Sequence, residues 1–390
     1  MSLPMPDADS FARRLLAWFD VHGRHDLPWQ HPRTAYRVWL SEVMLQQTQV
    51  AAVIPYFERF LGRFPDLRSL AAAPGEEVMR YWAGLGYYAR ARNLHAAARA
   101  VVERHGGEFP SDYAAVLALP GIGRSTAGAI LAQAHGQRHA ILDGNVKRVL
   151  ARWAGIAGWP GETAVAEQLW ACSERLLPAT RLADYTQALM DLGASLCSAR
   201  KPRCGDCPLA ADCRAHLEGR TAELPGAKPK AKKKARPQRE AWLIVASDAQ
   251  GRWLLEQRPG AGIWGGLWCP PVVDLAEDWA AALYQRHGLR LAAVQTDTPI
   301  DHAFSHYDLR LHPLRGRLAE PAAAEALRES VPHAWHQPAE LSAGVVALPA
   351  PIARYAERQA APTDLLGQTA LASVRRPRRR AAPKTPSPAS

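Results

Sequence analysis

The stretch Leu119–Gly128, LPGIGRSTAG, organises the reading of the whole chain. Its proline ends one helix, its glycines permit positive φ, and the small residues that follow can open a second helix. Such a turn aims backbone N–H groups outward beside a helix N-terminus, whose dipole favours an anion. Gly121 and Gly123 therefore suit a DNA phosphate, a contact that carries no base information. An ordinary helix–helix turn is the alternative, and the surroundings must separate the two.

On either side, apolar residues recur at helical spacing. Val38 to Leu40, Val43 to Leu45 and Val50 form one such series, and Ala127 with Ile130 to Ala134 another. Breaks fall at Phe64-Pro65, Ala73-Pro74-Gly75, Gly106-Gly107 and Trp159-Pro160-Gly161. No β-alternation competes, so residues 1–222 are expected to form an all-α domain. Leu224–Pro237, LPGAKPKAKKKARP, lacks apolar periodicity and reads as a basic linker, placed at 223–239. Beyond it, REAWLIVASDAQGRWLLEQRP (Arg239–Pro259) predicts two strands around Asp248–Gly251. HAFSHYDLRLHPLRG (His302–Gly316) alternates like one strand, and Asp278–His287 looks helical. Residues 240–360 are thus expected to be an α+β domain, and 361–390 a disordered basic tail.

The net charge of +11 is concentrated. Lys228–Arg239 holds seven basic residues and Arg375–Lys384 six, with no acid in either. What remains, 35 Lys and Arg against 37 Asp and Glu, is near neutral. The basicity therefore marks two segments that attract polyanions weakly and without sequence preference. No apolar run approaches the roughly 18 residues of a membrane span, and the N-terminus lacks the layout of an export signal. A soluble cytoplasmic protein with no membrane partner is expected.

Four of the six cysteines, Cys197, Cys204, Cys207 and Cys213, are spaced C-x6-C-x2-C-x5-C. In an intracellular chain this points to a metal or cluster rather than to disulfides. Structural zinc usually pairs close cysteines at both ends, and here only one close pair exists, so a [4Fe–4S] cluster fits better, with zinc as the alternative. Arg200, Lys201 and Arg203 would make the loop it closes basic. In ILDGNVKRVLARW (Ile141–Trp153), Asp143 reads as a helix N-cap. Capping would also hold its carboxylate ionised and rigid.

LPGIGRSTAG, LDGNVKRV (Leu142–Val149) and the cysteine spacing together resemble the helix-hairpin-helix DNA glycosylases of the endonuclease III superfamily. WLSEVMLQQTQV (Trp39–Val50), GLGYYARARN (Gly84–Asn93) and AFSH (Ala303–His306) narrow the resemblance to its adenine-removing branch, which carries a Nudix-like second domain. The resemblance covers about residues 8–350. It implies a multidomain fold, with the all-α glycosylase domain and its cluster loop followed by the α+β Nudix-like domain. The implied partner is double-stranded DNA containing A:8-oxoguanine or A:G mispairs, met by a monomer.

Residue by residue, Glu42 matches the general acid that protonates adenine N7, and a buried carboxyl has the raised pKa this needs. Asp143 matches the group that stabilises the sugar cation, by its charge or through a transient covalent adduct. Relatives that cut the backbone carry lysine where this chain has Ser125, which cannot form a Schiff base. A monofunctional glycosylase is implied, with Ser125 lining the sugar pocket, and Lys147 near enough in sequence to trap sugar adventitiously. Asn145 would support Asp143 or a water. Arg24 and Gln187 match adenine contacts, while Gln47 and Tyr87 match intercalating residues, with Arg90 and Arg92 offered to phosphates. Phe304, Ser305 and His306 match the 8-oxoguanine loop. Asp274–Leu291 holds only Glu277 and two aspartates where a Nudix metal site needs several glutamates, so this domain is expected to read rather than hydrolyse.

Overall fold

A computed structural model describes residues 8–229, 236–260, 262–304, 306–319 and 332–360. Ser305 and the basic tail lie outside them. The first part is helical: α1 (Ala8–His22), α2 (Ala35–Leu45), α3 (Val50–Arg63), α4 (Leu67–Ala72), α5 (Gly75–Trp82), α6 (Ala89–His105), α7 (Tyr113–Leu117), α8 (Arg124–His135), α9 (Gly144–Ala154), α10 (Thr163–Arg175), α11 (Leu182–Ser195) and α12 (Arg214–Leu217). None of the described helices is long and apolar enough to cross a membrane.

The expected breaks fall at helix boundaries, with Gly75 itself opening α5, for physical reasons visible at each end. Gly106, Gly136 and Gly155 close α6, α8 and α9 in the left-handed conformation, at φ 63°, 63° and 68°, where a Cβ would be strained. One expectation needs correction. The apolar series from Val38 to Val50 is not one helix: α2 stops at Leu45, and Gln47 turns to φ 59° before α3 begins. Periodicity cannot register a break that keeps the apolar spacing in phase.

Two cores hold this part. α1, α9, α10 and α11 bury Phe11, Trp153, Tyr185 and Leu189 against one another. α2, α3, α5 and α6 bury Trp39, Phe57, Phe60 and Trp82 in a second core that continues into the other domain through Trp264 and Leu267.

The second part is one mixed eight-stranded sheet: β1 (Gln238–Ser247), β2 (Trp253–Gln257), β3 (Trp268–Cys269), β4 (Val272–Asp274), β5 (Leu291–Thr296), β6 (Ile300–Ala303), β7 (Asp308–Leu318) and β8 (His333–His336). Its spine is the parallel pair β1–β7, in register from Gln238↔Asp308 to Ser247↔Arg317. Helix α13 (Trp279–His287) starts at Asp278, whose carboxylate accepts from Ala280 N and Ala281 N. Helices α14 (Pro338–Ser342) and α15 (Ala350–Ala360) complete the domain.

The strand expected over 302–316 is two strands instead. β6 and β7 pair as a hairpin whose tip is closed by Phe304 N donating to Tyr307 O at 2.9 Å. The glycine-rich Gly262–Gly266 is turn, with only Trp268–Cys269 extended. The linker also differs from a free spacer at its start, where Leu224 is buried and Gly226 N donates to Gly158 O at 2.9 Å.

Candidate active site and cluster loop

The hairpin divides its work among four small residues. Gly121 supplies the turn at φ +78°, with Asn93 Cβ 2.7 Å from where a Cβ would stand. Gly123 does not have positive φ. It is the extended N-cap of α8, with open space where its side chain would be, which leaves the helix N-terminus accessible to an anion. At Gly128 a Cβ would meet Ala140 O at 2.3 Å, so only glycine lets α8 lie this close to residues 139–141. Ser125 Oγ, one turn earlier, accepts from Leu142 N at 2.9 Å, and Ser173 Oγ donates to Ile141 O at 2.8 Å. The segment leading to Asp143 is thus clamped on both sides. Ser125 acts here by positioning that backbone.

Asp143 then caps α9, accepting from Val146 N at 2.7 Å. Opposite it, Glu42 projects from α2, which packs on α8, and Gln133 Nε2 of α8 donates to Glu42 Oε1 at 3.3 Å. The two carboxyls interact, and their surroundings differ. Burial first, and then the charge of Asp143, push the Glu42 carboxyl up to about 7, against the weaker pull of the Gln133 bond. Burial also raises Asp143, but the N–H groups of Val146 and Asn145, with Arg148 and Lys147, all favour its ionised form. Both carboxyls are raised, but only Gln133 opposes the effect at Glu42, whereas four groups oppose it at Asp143, the kind of asymmetry that separates acid from counter-charge.

The structure brings Asn145 beside this pair, but its side chain faces away: Oδ1 accepts from Arg148 at 2.9 Å. Arg24 and Gln187 converge, both on Asp191. Arg24 N donates to it at 2.8 Å, the Arg24 guanidinium pairs with it, and Gln187 Nε2 donates at 2.8 Å. Asp191, buried on α11, and Gln133, buried on α8, are site residues the sequence reading missed. Each is a lone polar residue in a helix, and only the partner across space reveals it. The one signal in the sequence for Asp191 is its place as the i+4 neighbour of Gln187.

Gln47 and Tyr87 occupy left-handed backbone at φ 59° and 49° on adjacent loops, strain of about 1–3 kcal/mol each that the surroundings must hold. Arg90 holds it. Far from being offered to phosphates, it is buried and donates to the carbonyls of Val43 and Met44 in the last turn of α2, of Gln46 just beyond it, and of Leu85 and Gly86 on the other loop. Arg92 likewise reaches Gly265 O of the second domain at 2.8 Å, and Trp268 Nε1 donates to Glu76. Between the domains lies a cleft of about 1200 Å³ lined by Gln47, Tyr87, Arg258, Phe304, His306 and Tyr307. Phe304 packs within its own domain against His302 and Tyr307, with centroids 4.6 and 4.9 Å apart, while His306 is exposed.

The four cysteines of the C-x6-C-x2-C-x5-C run line one cavity; burial first, and then the neighbouring thiols, raise Cys204, Cys207 and Cys213, Cys207 to about 11. Among the described residues, no three His, Cys, Asp or Glu side chains close round a single ion. That spacing suits a polynuclear group better than one zinc. Arg152, buried beneath the loop, donates to Cys197 Sγ at 3.4 Å and to Ser198 O at 2.8 Å, the kind of donor that stabilises thiolate charge. Cys204→Ala is expected to lose the brown absorbance and the bound iron. Full iron content in that variant would remove Cys204 from the ligand set.

Family models agree with this geometry. Residues 40–175 match the HhH-GPD superfamily of base excision DNA repair proteins, 197–213 the iron-sulfur binding domain of endonuclease III, and 241–358 the NUDIX domain. Fold and site together define a helix-hairpin-helix base excision repair enzyme with an iron–sulfur cofactor, a [4Fe–4S] cluster as in its endonuclease III relatives. The chain is 37% identical to the adenine DNA glycosylase of Buchnera aphidicola subsp. Acyrthosiphon pisum over 326 residues, covering 84% of this chain and 91% of that one. It is 38% identical to that of Rattus norvegicus, covering 78% and 69%. The chain belongs to the adenine DNA glycosylase family. Among solved structures, a thermostable thymine-DNA glycosylase superposes with a TM-score of 0.48 at 28% identity, over 54% of this chain and 97% of that one.

Proposed function

We propose that this glycosylase removes adenine paired with 8-oxoguanine, or with guanine, and leaves an abasic site without cutting the strand. The observation that carries the reading is the unequal carboxyl pair. Glu42, with a pKa of about 7, gives its proton to the leaving base, adenine N7 being the accepting atom. Asp143, held by backbone N–H groups and two cations, faces the oxocarbenium ion that the sugar becomes. Asp191 orients Arg24 and Gln187 toward the extruded base. Extrusion itself is the work of Gln47 and Tyr87, whose strained loops Arg90 braces for insertion into the duplex.

Partner recognition falls to the cleft. His306 supplies hydrogen bonds to the opposite base, Phe304 stiffens the hairpin that presents it, and Tyr87 stacks from the other side. The second domain reads rather than hydrolyses. Asp274 and Asp278 use their carboxylates on nearby N–H groups of Ala276, Ala280 and Ala281. At position 125 a hydroxyl engaged by Leu142 N supplies no amine for a Schiff base. The chain acts as a monomer on double-stranded DNA.

A duplex labelled on the adenine strand tests this. Opposite 8-oxoguanine the strand should break only after alkali, and opposite thymine not at all. Breakage without alkali at the same rate would replace the monofunctional reading with a lyase.

A further inference from the structure

We propose that a basic cavity beside α9 is a separate seat for the DNA backbone, taking a phosphodiester outside the pocket that receives the adenine. The proposal rests only on duplex DNA being the substrate, not on which mispair is read. The cavity, of about 540 Å³, lies between α9, the turn at Trp159–Gly161 and the first residues of the linker. Lys147, Arg148, Arg152 and Lys228 line it, and no carboxylate does.

Two of these cations build the walls. Arg152 donates to Leu224 O at 2.8 Å and Ala199 O at 3.0 Å, and Arg148 to Gly193 O and Cys197 O at 2.6 and 2.7 Å. Carbonyls satisfy their hydrogens without cancelling their charge. The other two, Lys147 and Lys228, form no ion pair among the described residues, so their ammonium groups can meet an incoming oxyanion.

Lys228 is placed rather than loose. The linker is fixed just before it by the Gly226–Gly158 backbone bond, and a Cβ at Gly226 would meet Gly158 O at 2.6 Å. The Lys228 ammonium then lies 5.3 Å from the Trp159 ring centre, which orients it without neutralising it. Gly144, the first residue of α9, lines the same cavity. Gly144 also follows Asp143 directly. A strand whose sugar reaches Asp143 therefore carries its neighbouring phosphates past the mouth of the cavity.

The test uses the full chain and Lys228→Gln, with anisotropy on an undamaged duplex and on one bearing a non-cleavable adenosine analogue, across a salt series. We expect affinity for both to fall roughly fivefold and the slope of log K against log salt to shrink by about 0.9, one phosphate's worth. Lys228→Arg should restore both, and the single-turnover rate at saturating enzyme should be unchanged. Neutral methylphosphonates placed one at a time on the adenine strand should weaken the wild type at one position where they no longer weaken Lys228→Gln. An unchanged salt slope, or equal methylphosphonate losses in both proteins, would overturn the proposal. So would competition by inorganic phosphate without any positional effect, which would mean a free-anion site. A failure of mispair specificity would leave these readouts untouched.

Discussion

Glu42→Gln is expected to abolish adenine release while leaving duplex affinity within about twofold. Glutamine keeps the shape and the partner Gln133 but has no proton to give, so the loss should approach the 10²–10⁴-fold that general acids contribute. In the wild type the single-turnover rate should fall as pH rises through about 7, because the protonated form is the active one. The same variant should be more stable than the wild type. A carboxyl raised from 4.5 to about 7 binds its proton more tightly in the folded state than in the unfolded one. Stability is therefore lost as pH climbs through that window, and the loss is complete above about 7, at about 3 kcal/mol. Glu42→Gln should melt higher at pH 8 and match the wild type near pH 4. Retained turnover would remove the acid assignment, and a lower melting point at pH 8 would deny the raised carboxyl.

Asp143→Asn separates charge from structure. Asparagine caps a helix as well as aspartate does, so α9 should begin where it does now, and the melting point should rise at neutral pH, because a raised carboxyl and its push on Glu42 are both removed. Turnover should nonetheless fall by about 10³-fold or more, since the group facing the developing cation is gone. The substitution also removes one cause of the raised Glu42 carboxyl. The pH dependence of stability between 4.5 and 7 should flatten, although residue 42 is untouched. An unaltered pH dependence would mean that the two carboxyls do not sense each other.

The site was unevenly legible. Asp143 and the four cysteines could be picked out because their chemistry depends on local context, a cap before a helix and thiols at fixed spacing, whereas Glu42 was reached through the resemblance to the glycosylase family. Arg90 differs from its expectation because a cation beside tyrosines looks the same in sequence whether it faces phosphate or five backbone carbonyls. Gln133 and Asp191 gave no local signal, since a buried helix polar residue is defined by what stands opposite it. The break at Gln47 was hidden for a related reason, as apolar spacing can continue across a change in backbone.

By itself the sequence determined the helical domain, the iron–sulfur loop, the sheet domain, and the absence of an amine at residue 125. These are matters of residue type, short-range periodicity and nearby spacing, which the chain carries along its length. Tertiary structure alone decided how differently the two carboxyls are surrounded. That depends on burial, on Asp143 standing near Glu42 from 101 positions away, and on backbone N–H groups aimed at one of them only. Desolvation and charge act through space, and distance along a chain does not measure them.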